Sequence, residues 1–185
     1  MGKKSKRFNS ERFLAIIATL VGIMTLIIFI YQTNIIHEQS RLSVTPRLST
    51  STEITHQDSL VYYSFIIENK GIGPAIINKA EILDGKKSYD LDFEKYFEQV
   101  HPKVFELGSF TKTSSLAEGS TLSPNEKQIM FTYAFKINKM PVIQESLGLT
   151  NEEQYPFQVV IDYASIYEEV WRIDTELSGH PKKLD

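Results

Sequence analysis

Four histidines, a knot of carboxylates and a glycine-rich loop are the residues of this chain whose types could do chemistry. His37, His56, His101 and His180 are far apart, and none stands at the HxH or HExxH spacing that brings two imidazoles to one metal ion. Asp84, Asp90, Asp92 and Glu94 could offer a calcium ion several hard oxygens from loops, but EF-hand spacing is absent. A solvated turn and a helix N-terminus explain the same charges. Serines are plentiful, yet no GxSxG elbow exposes one as a nucleophile. Asp162 and Arg172 are placed to pair across a hairpin, and a carboxylate paired in this way is structural rather than a general acid. The chain has no cysteine, which removes thiolate metal sites, cysteine nucleophiles and disulfides. The sequence therefore nominates no catalytic residue, no metal ligand and no cofactor.

The loop ENKGIGPAII, residues 68–77, poses a sharper question, because glycines beside a strand can cradle a phosphate. A phosphate loop needs a helix behind it, so that backbone N–H groups and the helix dipole meet the anion. The residues behind this one are IINKAEIL, a strand pattern, with no Lys-Ser/Thr after the glycines. The loop reads as a turn built by Asn69, Gly71, Gly73 and Pro74, the glycines supplying positive φ and the proline fixing the approach to the next strand. Tyrosines and Trp171 could line a ligand pocket, but most alternate in register with Ile, Val and Phe, which is the pattern of a core.

These residues must be positioned by short strands. SLVYYSFIIEN reads as a strand covered on both sides, AIINKAEIL as its successor, and DGKK as a hairpin turn into KSYDL. DFEKYFEQV changes period: Phe93, Tyr96, Phe97 and Val100 share one helical face, with Asp92 as N-cap and Pro102 beyond the end. Its acidic polar face suits a sheet cover better than a membrane surface. Residues 106–126 read as a long polar loop, the most accessible stretch without a core role, and Phe110 and Lys112 are its candidate interaction residues. In KQIMFTYAF, alternation directs Ile129, Phe131, Tyr133 and Phe135 inward and Met130 outward. The last two strands flank a turn near residues 165–168, with Phe157, Val159, Ile161 and Tyr163 as one inner row. This spacing suggests a mainly β, antiparallel sandwich or barrel with one short amphipathic helix.

Ahead of the strands lies FLAIIATLVGIMTLIIFIY, residues 13–31, uncharged throughout. As a helix it would span about 28 Å, close to the roughly 30 Å hydrocarbon core. It is longer than a signal-peptide apolar region and no small-residue cleavage site comes after it, so it reads as an uncleaved signal anchor. Residues 1–12 form a basic tip with five Lys/Arg against Glu11, and the positive-inside rule puts that tip in the cytoplasm and the body outside it. The tip carries +4 and the remainder −7, giving the net −3 of the chain; an acidic body excludes the basic face of a nucleic-acid binder. Ala15, Ala18, Gly22 and Thr25 share one helix face, a candidate helix–helix contact for a homo-oligomer. Residues 32–42 are expected to continue as a juxtamembrane helix, residues 43–178 to form the β-domain and residues 179–185 a C-terminal tail.

The stretches YQTNIIHEQSRLSVTPRL, ENKGIGPAIINKAEILDGKK and VVIDYASIYEEVWRID resemble a recurring set of uncharacterised bacterial single-pass membrane proteins with a small β-domain. The signature is SVxPxL, then NxGxGPA, then a DG turn. The NxGxGPA turn is also similar to turns in Ig-like, adhesion-related β-sandwiches. The resemblance covers most of the chain and implies architecture, an Ig-like β-sandwich and a bacterial source. It assigns no activity to any residue.

The function expected from these features is non-enzymatic: an interaction or envelope-scaffolding protein of the bacterial inner membrane. It would be held in the bilayer by residues 13–31 and would meet an unidentified protein partner through its extracytoplasmic β-domain. The alternative is a sensor or effector whose β-domain binds a small ligand in the cytoplasm and drives transmembrane assembly. A membrane-tethered hydrolase would need a polar constellation absent from the sequence.

Overall fold

The computed structural model describes residues 10–147, 157–176 and 180–184. It divides into two compact units, Met1–Leu42 and Ser43–Asp185. Among its described residues the first is one helix, α1 (Ser10–Leu42), long and apolar enough to cross a membrane, with none of its side chains buried. The Thr19, Thr25 and Thr33 hydroxyls donate to the carbonyls of Ala15, Val21 and Phe29, one turn back, so these polar groups are satisfied within the helix itself. At about 1.5 Å per residue its 33 residues reach about 50 Å, well past the apolar run.

The second unit is mainly β and antiparallel. One sheet has the order β1-β2-β7-β5, from β1 (Leu48–Gln57), β2 (Leu60–Asn69), β7 (Lys127–Lys136) and β5 (Gly108–Thr113). The other has the order β10-β9-β8-β3-β4, from β10 (Lys182–Leu184), β9 (Val170–Asp174), β8 (Gln158–Ala164), β3 (Ala75–Asp84) and β4 (Lys87–Asp90); β6 (Thr121–Leu122) also pairs with β3. The anticipated DGKK turn joins β3 to β4, with Gly85 at φ 60° in the first central position, where a two-residue hairpin favours glycine.

The two sheets share one core. Val61, Phe65, Ile67, Phe131 and Tyr133 enter it from the first sheet, and Ile77, Ile82, Val159, Ile161, Tyr163 and Ile173 from the second. The helix α2 (Phe93–Val100) adds Phe93, Tyr96 and Phe97, its N-cap being Asp92, whose carboxylate accepts from Lys95 N at 3.2 Å. Four phenylalanines meet where these parts join: the Phe93 ring lies 4.6 Å from Phe131 and 4.9 Å from Phe157, and Phe65 lies 5.1 Å from Phe157. α2 is followed by a four-residue helix, α3 (Pro102–Phe105), and β7 by a 3-10 turn and α4 (Met140–Ser146).

Several expectations change here. The polar stretch 106–126 is not a loop throughout, because β5 and β6 form within it. Alternation along β7 is broken by a bulge: Phe65 pairs with Phe131 and Ile66 with Ile129, leaving Met130 as the extra residue. Met130 therefore turns into the core and is fully buried, while Ile129 moves to the outer face opposite Ile66. The stretch expected as a C-terminal tail contributes β10 to the edge of the second sheet. Residues 148–156, in the excursion before β8, lie outside the described residues.

Candidate interaction site

Asn69 organises the glycine loop. It is fully buried at the end of β2, and its side-chain amide makes every bond open to it. Oδ1 accepts from Arg47 N at 3.1 Å and Gly71 N at 3.0 Å, while Nδ2 donates to Gly73 O at 2.8 Å and Leu122 O at 3.0 Å. The loop amides are equally committed: Lys70 N donates to Arg47 O, and Ile72 N and Gly73 N to Thr45 O. An anion would find these donors engaged, which closes the phosphate reading on geometry. Positive φ is not what the glycines provide, since among the described glycines only Gly85 and Gly119 have it. Gly71 and Gly73 are needed because residues 44–47 cross directly over them. A Cβ on Gly71 would strike the backbone of residues 45–47, and one on Gly73 the carbonyl of Val44. Pro74 leads into β3, as its fixed φ allows.

The titratable groups are spread out. Among the described residues, no three His, Asp or Glu side chains are grouped to hold a metal ion. Asp92 caps α2 and pairs with Lys95 at 3.0 Å. His101 packs against two aromatics of α2, its ring 5.7 Å from Tyr96, edge-on, and 5.7 Å from Phe97. Burial holds its pKa below the usual histidine value, opposed by the Asp84 charge. Burial likewise pushes the Tyr96, Tyr133 and Tyr163 hydroxyls up to about 12, and Tyr163 accepts from Leu48 N at 3.3 Å, joining the two sheets. Arg172 and Asp162 form the anticipated cross-strand pair as a two-pronged bond, Nε to Oδ1 at 2.6 Å and a terminal nitrogen to Oδ2 at 2.8 Å. With Lys79–Glu81 at 2.7 Å, it makes the outer face of the second sheet a set of mutually satisfied charges.

Phe110 and Lys112 stand on β5, not on a loop. Phe110 is half-buried, its ring 5.2 Å from Tyr133, 5.6 Å from Phe131 and 5.7 Å from Phe97. It packs against the core, and of the two only Lys112 is exposed. Ala15, Ala18, Gly22 and Thr25 lie exposed on α1, with nothing within 4 Å of the place where a Gly22 Cβ would stand.

A feature that no residue type signals is the outer edge of β1. Ten residues pair straight along β2 from Leu48↔Asn69 to Gln57↔Leu60 with no register shift, and among the described residues β2 is the only strand that pairs with β1. Residues 52–57 are exposed, including Ile54 at 44%. Edge strands expose unpaired N–H and C=O groups and are normally blunted by shortness, lysine, proline or a bulge. The other edges use those devices. β5 has six residues, a register shift between Phe110 and Lys112, and Lys112 itself. β4 has four residues and begins at Lys87; β10 has three and includes Lys182 and Lys183. β1 has none of them. Its one charge, Glu53, is met by Lys127 of β7 at 3.0 Å, a pair that spans β2 on the face where Ile66 is buried.

Comparison with known proteins finds no match among family models, curated sequences or solved structures.

Proposed function

We propose that this chain is a single-pass, membrane-anchored interaction or envelope-scaffolding protein, non-enzymatic, whose Ig-like β-sandwich acts outside the cytoplasm of a bacterium. The observation that carries this reading is the open β1 edge. It is long, straight and exposed, and begins only five residues after a helix of membrane-spanning length. An edge of this kind binds by strand addition: backbone bonds supply affinity, and alternate side chains supply selectivity. The basic tip before the apolar run supports the outward orientation through the positive-inside rule.

The native chain has no cysteine, so one introduced at exposed Ser115 reports location cleanly. Labelling of Ser115→Cys by a membrane-impermeant maleimide in intact cells or spheroplasts is the expected result. Labelling only after lysis would place the β-domain in the cytoplasm and replace this reading with the cytoplasmic sensor.

A further inference from the structure

We propose that the open edge of β1 is closed by β1 of a second copy of this chain, antiparallel about a two-fold axis that passes beside Ile54. This deepens the interaction reading above and rests on β1 being the edge through which the domain works. Symmetry restricts the register. Two copies of one strand, paired antiparallel about an axis normal to the sheet, must set some residue opposite its own mate, so the choice of that residue fixes the pairing. Glu53 is excluded, because like charges directly opposite destabilise a pair. With Ile54 on the axis, Glu53 faces Thr55, Thr52 faces His56 and Ser51 faces Gln57. This register uses the exposed half of the strand and brings its only large apolar side chain against its mate.

The charge arrangement favours self-pairing over a charged partner. The two Glu53 carboxylates would be diagonal neighbours, and each is already neutralised by Lys127 of its own chain. No cation or anion on β1 is left seeking a foreign counter-charge; across residues 48–57 Glu53 is the only charged side chain. The resulting sheet would run continuously through both copies, with eight strands and β1 no longer at an edge. Confinement by α1 to one membrane raises the effective concentration of a second copy, which compensates for the modest affinity of a short ladder.

The test is cysteine cross-linking of the full-length chain in its membrane, using single variants Glu53→Cys, Ile54→Cys and Thr55→Cys, with Lys112→Cys on the opposite edge as the collision reference. Mates on the axis have Cα atoms about 4.5–5.5 Å apart, inside the disulfide range. Mild oxidation is expected to give at least fivefold more disulfide dimer at Ile54 than at Lys112, with the maximum of the three β1 positions at Ile54. A flat profile, or as much dimer at Lys112, overturns the proposal. So does preferential capture of a different polypeptide by a thiol-reactive cross-linker at Ile54, although that result leaves the interaction reading standing. Dimer at Ile54 together with Ser115 labelling only after lysis would uphold the pairing while removing the extracytoplasmic location, so the two readings fail separately.

Discussion

The two edges of the four-stranded sheet, β1 and β5, are built from similarly polar sequence and held in opposite ways. β5 is short and bulged, and its one aromatic side chain, Phe110, is packed into a group of rings from α2 and β7. β1 is straight, and its anchoring is concentrated at one end, where buried Leu48 and residues 44–47 meet Asn69 and the glycine loop. From Thr52 onward its side chains are exposed. The difference teaches that an edge closes when a side chain turns into the core and the ladder is interrupted. An edge fastened at one end keeps its backbone groups available.

The largest effect should come from breaking the fastening of β1. Gly73→Ala forces a Cβ into the Val44 carbonyl, a backbone group that cannot swing aside as a long side chain would. Overpacking costs about 1–3 kcal/mol and occasionally more, and a clash with backbone puts this one at the upper end. The chemical-denaturation midpoint of the β-domain should fall accordingly. A midpoint within error of the native chain would show that residues 44–47 do not cross the loop as described. Asn69→Ala should be nearly as damaging, since it strands the buried Gly73 and Leu122 carbonyls that Nδ2 now satisfies.

Next in size is the pin of β5. Truncating Phe110 to alanine removes a half-buried ring with four aromatic neighbours, Phe97, Phe105, Phe131 and Tyr133, and should cost about 2 kcal/mol, below the 3–5 typical of full burial. Lys112→Ala, two residues along and exposed, should change stability by less than about 0.5 kcal/mol. Equal effects at the two positions would mean that β5 is held by its ladder rather than by Phe110, and the contrast with β1 would shrink.

The same contrast explains which parts of the fold were legible in the sequence. β2, β8 and α2 announce themselves because burial repeats at the period of the element: Val61, Phe65 and Ile67; Val159, Ile161 and Tyr163; Phe93, Tyr96 and Phe97. β5 places one large apolar residue in six, so its period has nothing to act on. The inward turn of Met130 depends on where β2 stops matching β7, which is a property of the pair and not of either strand. The glycine turn was recognisable, but its reason was not. Gly71 and Gly73 answer to residues 44–47, some 25 positions earlier, and only folding brings the two stretches together. The open edge was invisible for a related cause, since β1 carries none of the lysine, proline or shortness that mark the other edges, and its lack of a second neighbour is a property of the sheet.

A smaller effect sharpens the β5 side. His101 rests on Tyr96 and Phe97, and Phe97 in turn touches Phe110. Because burial lowers the folded-state pKa of His101, the unfolded chain takes up a proton first as pH falls. Its contribution is intact above the ordinary value of 6.5 and is lost as pH drops from there through the lowered folded value. Glu81 and Asp92 also have lowered values, with hydrogen bonds from Lys79 and Ser88 acting on Glu81, and the Lys95 bonds prevailing over desolvation at Asp92. Their losses begin only below their ordinary 4.5 and 3.8, so the His101 loss is the one that starts between pH 7 and pH 5. Denaturation midpoints of the native chain and His101→Gln, compared between pH 7 and pH 5, should show the slope in the native chain alone. A slope retained in the variant would assign it to another group.

The smallest expected change lies on β1. Thr55→Lys puts a long cation in the exposed half of the edge, the device by which other edges are blunted. Nothing in the fold of a single copy opposes it, so the stability of the isolated β-domain should move by no more than about 0.5 kcal/mol. Strand addition should suffer far more than folding, because the lysine must desolvate beside any incoming strand. This separation between a silent effect on folding and a clear one on association is what an open edge predicts. A loss of stability comparable to that of Phe110→Ala would mean that the edge is already covered within the chain, and β1 and β5 would then be two closed edges of one sheet.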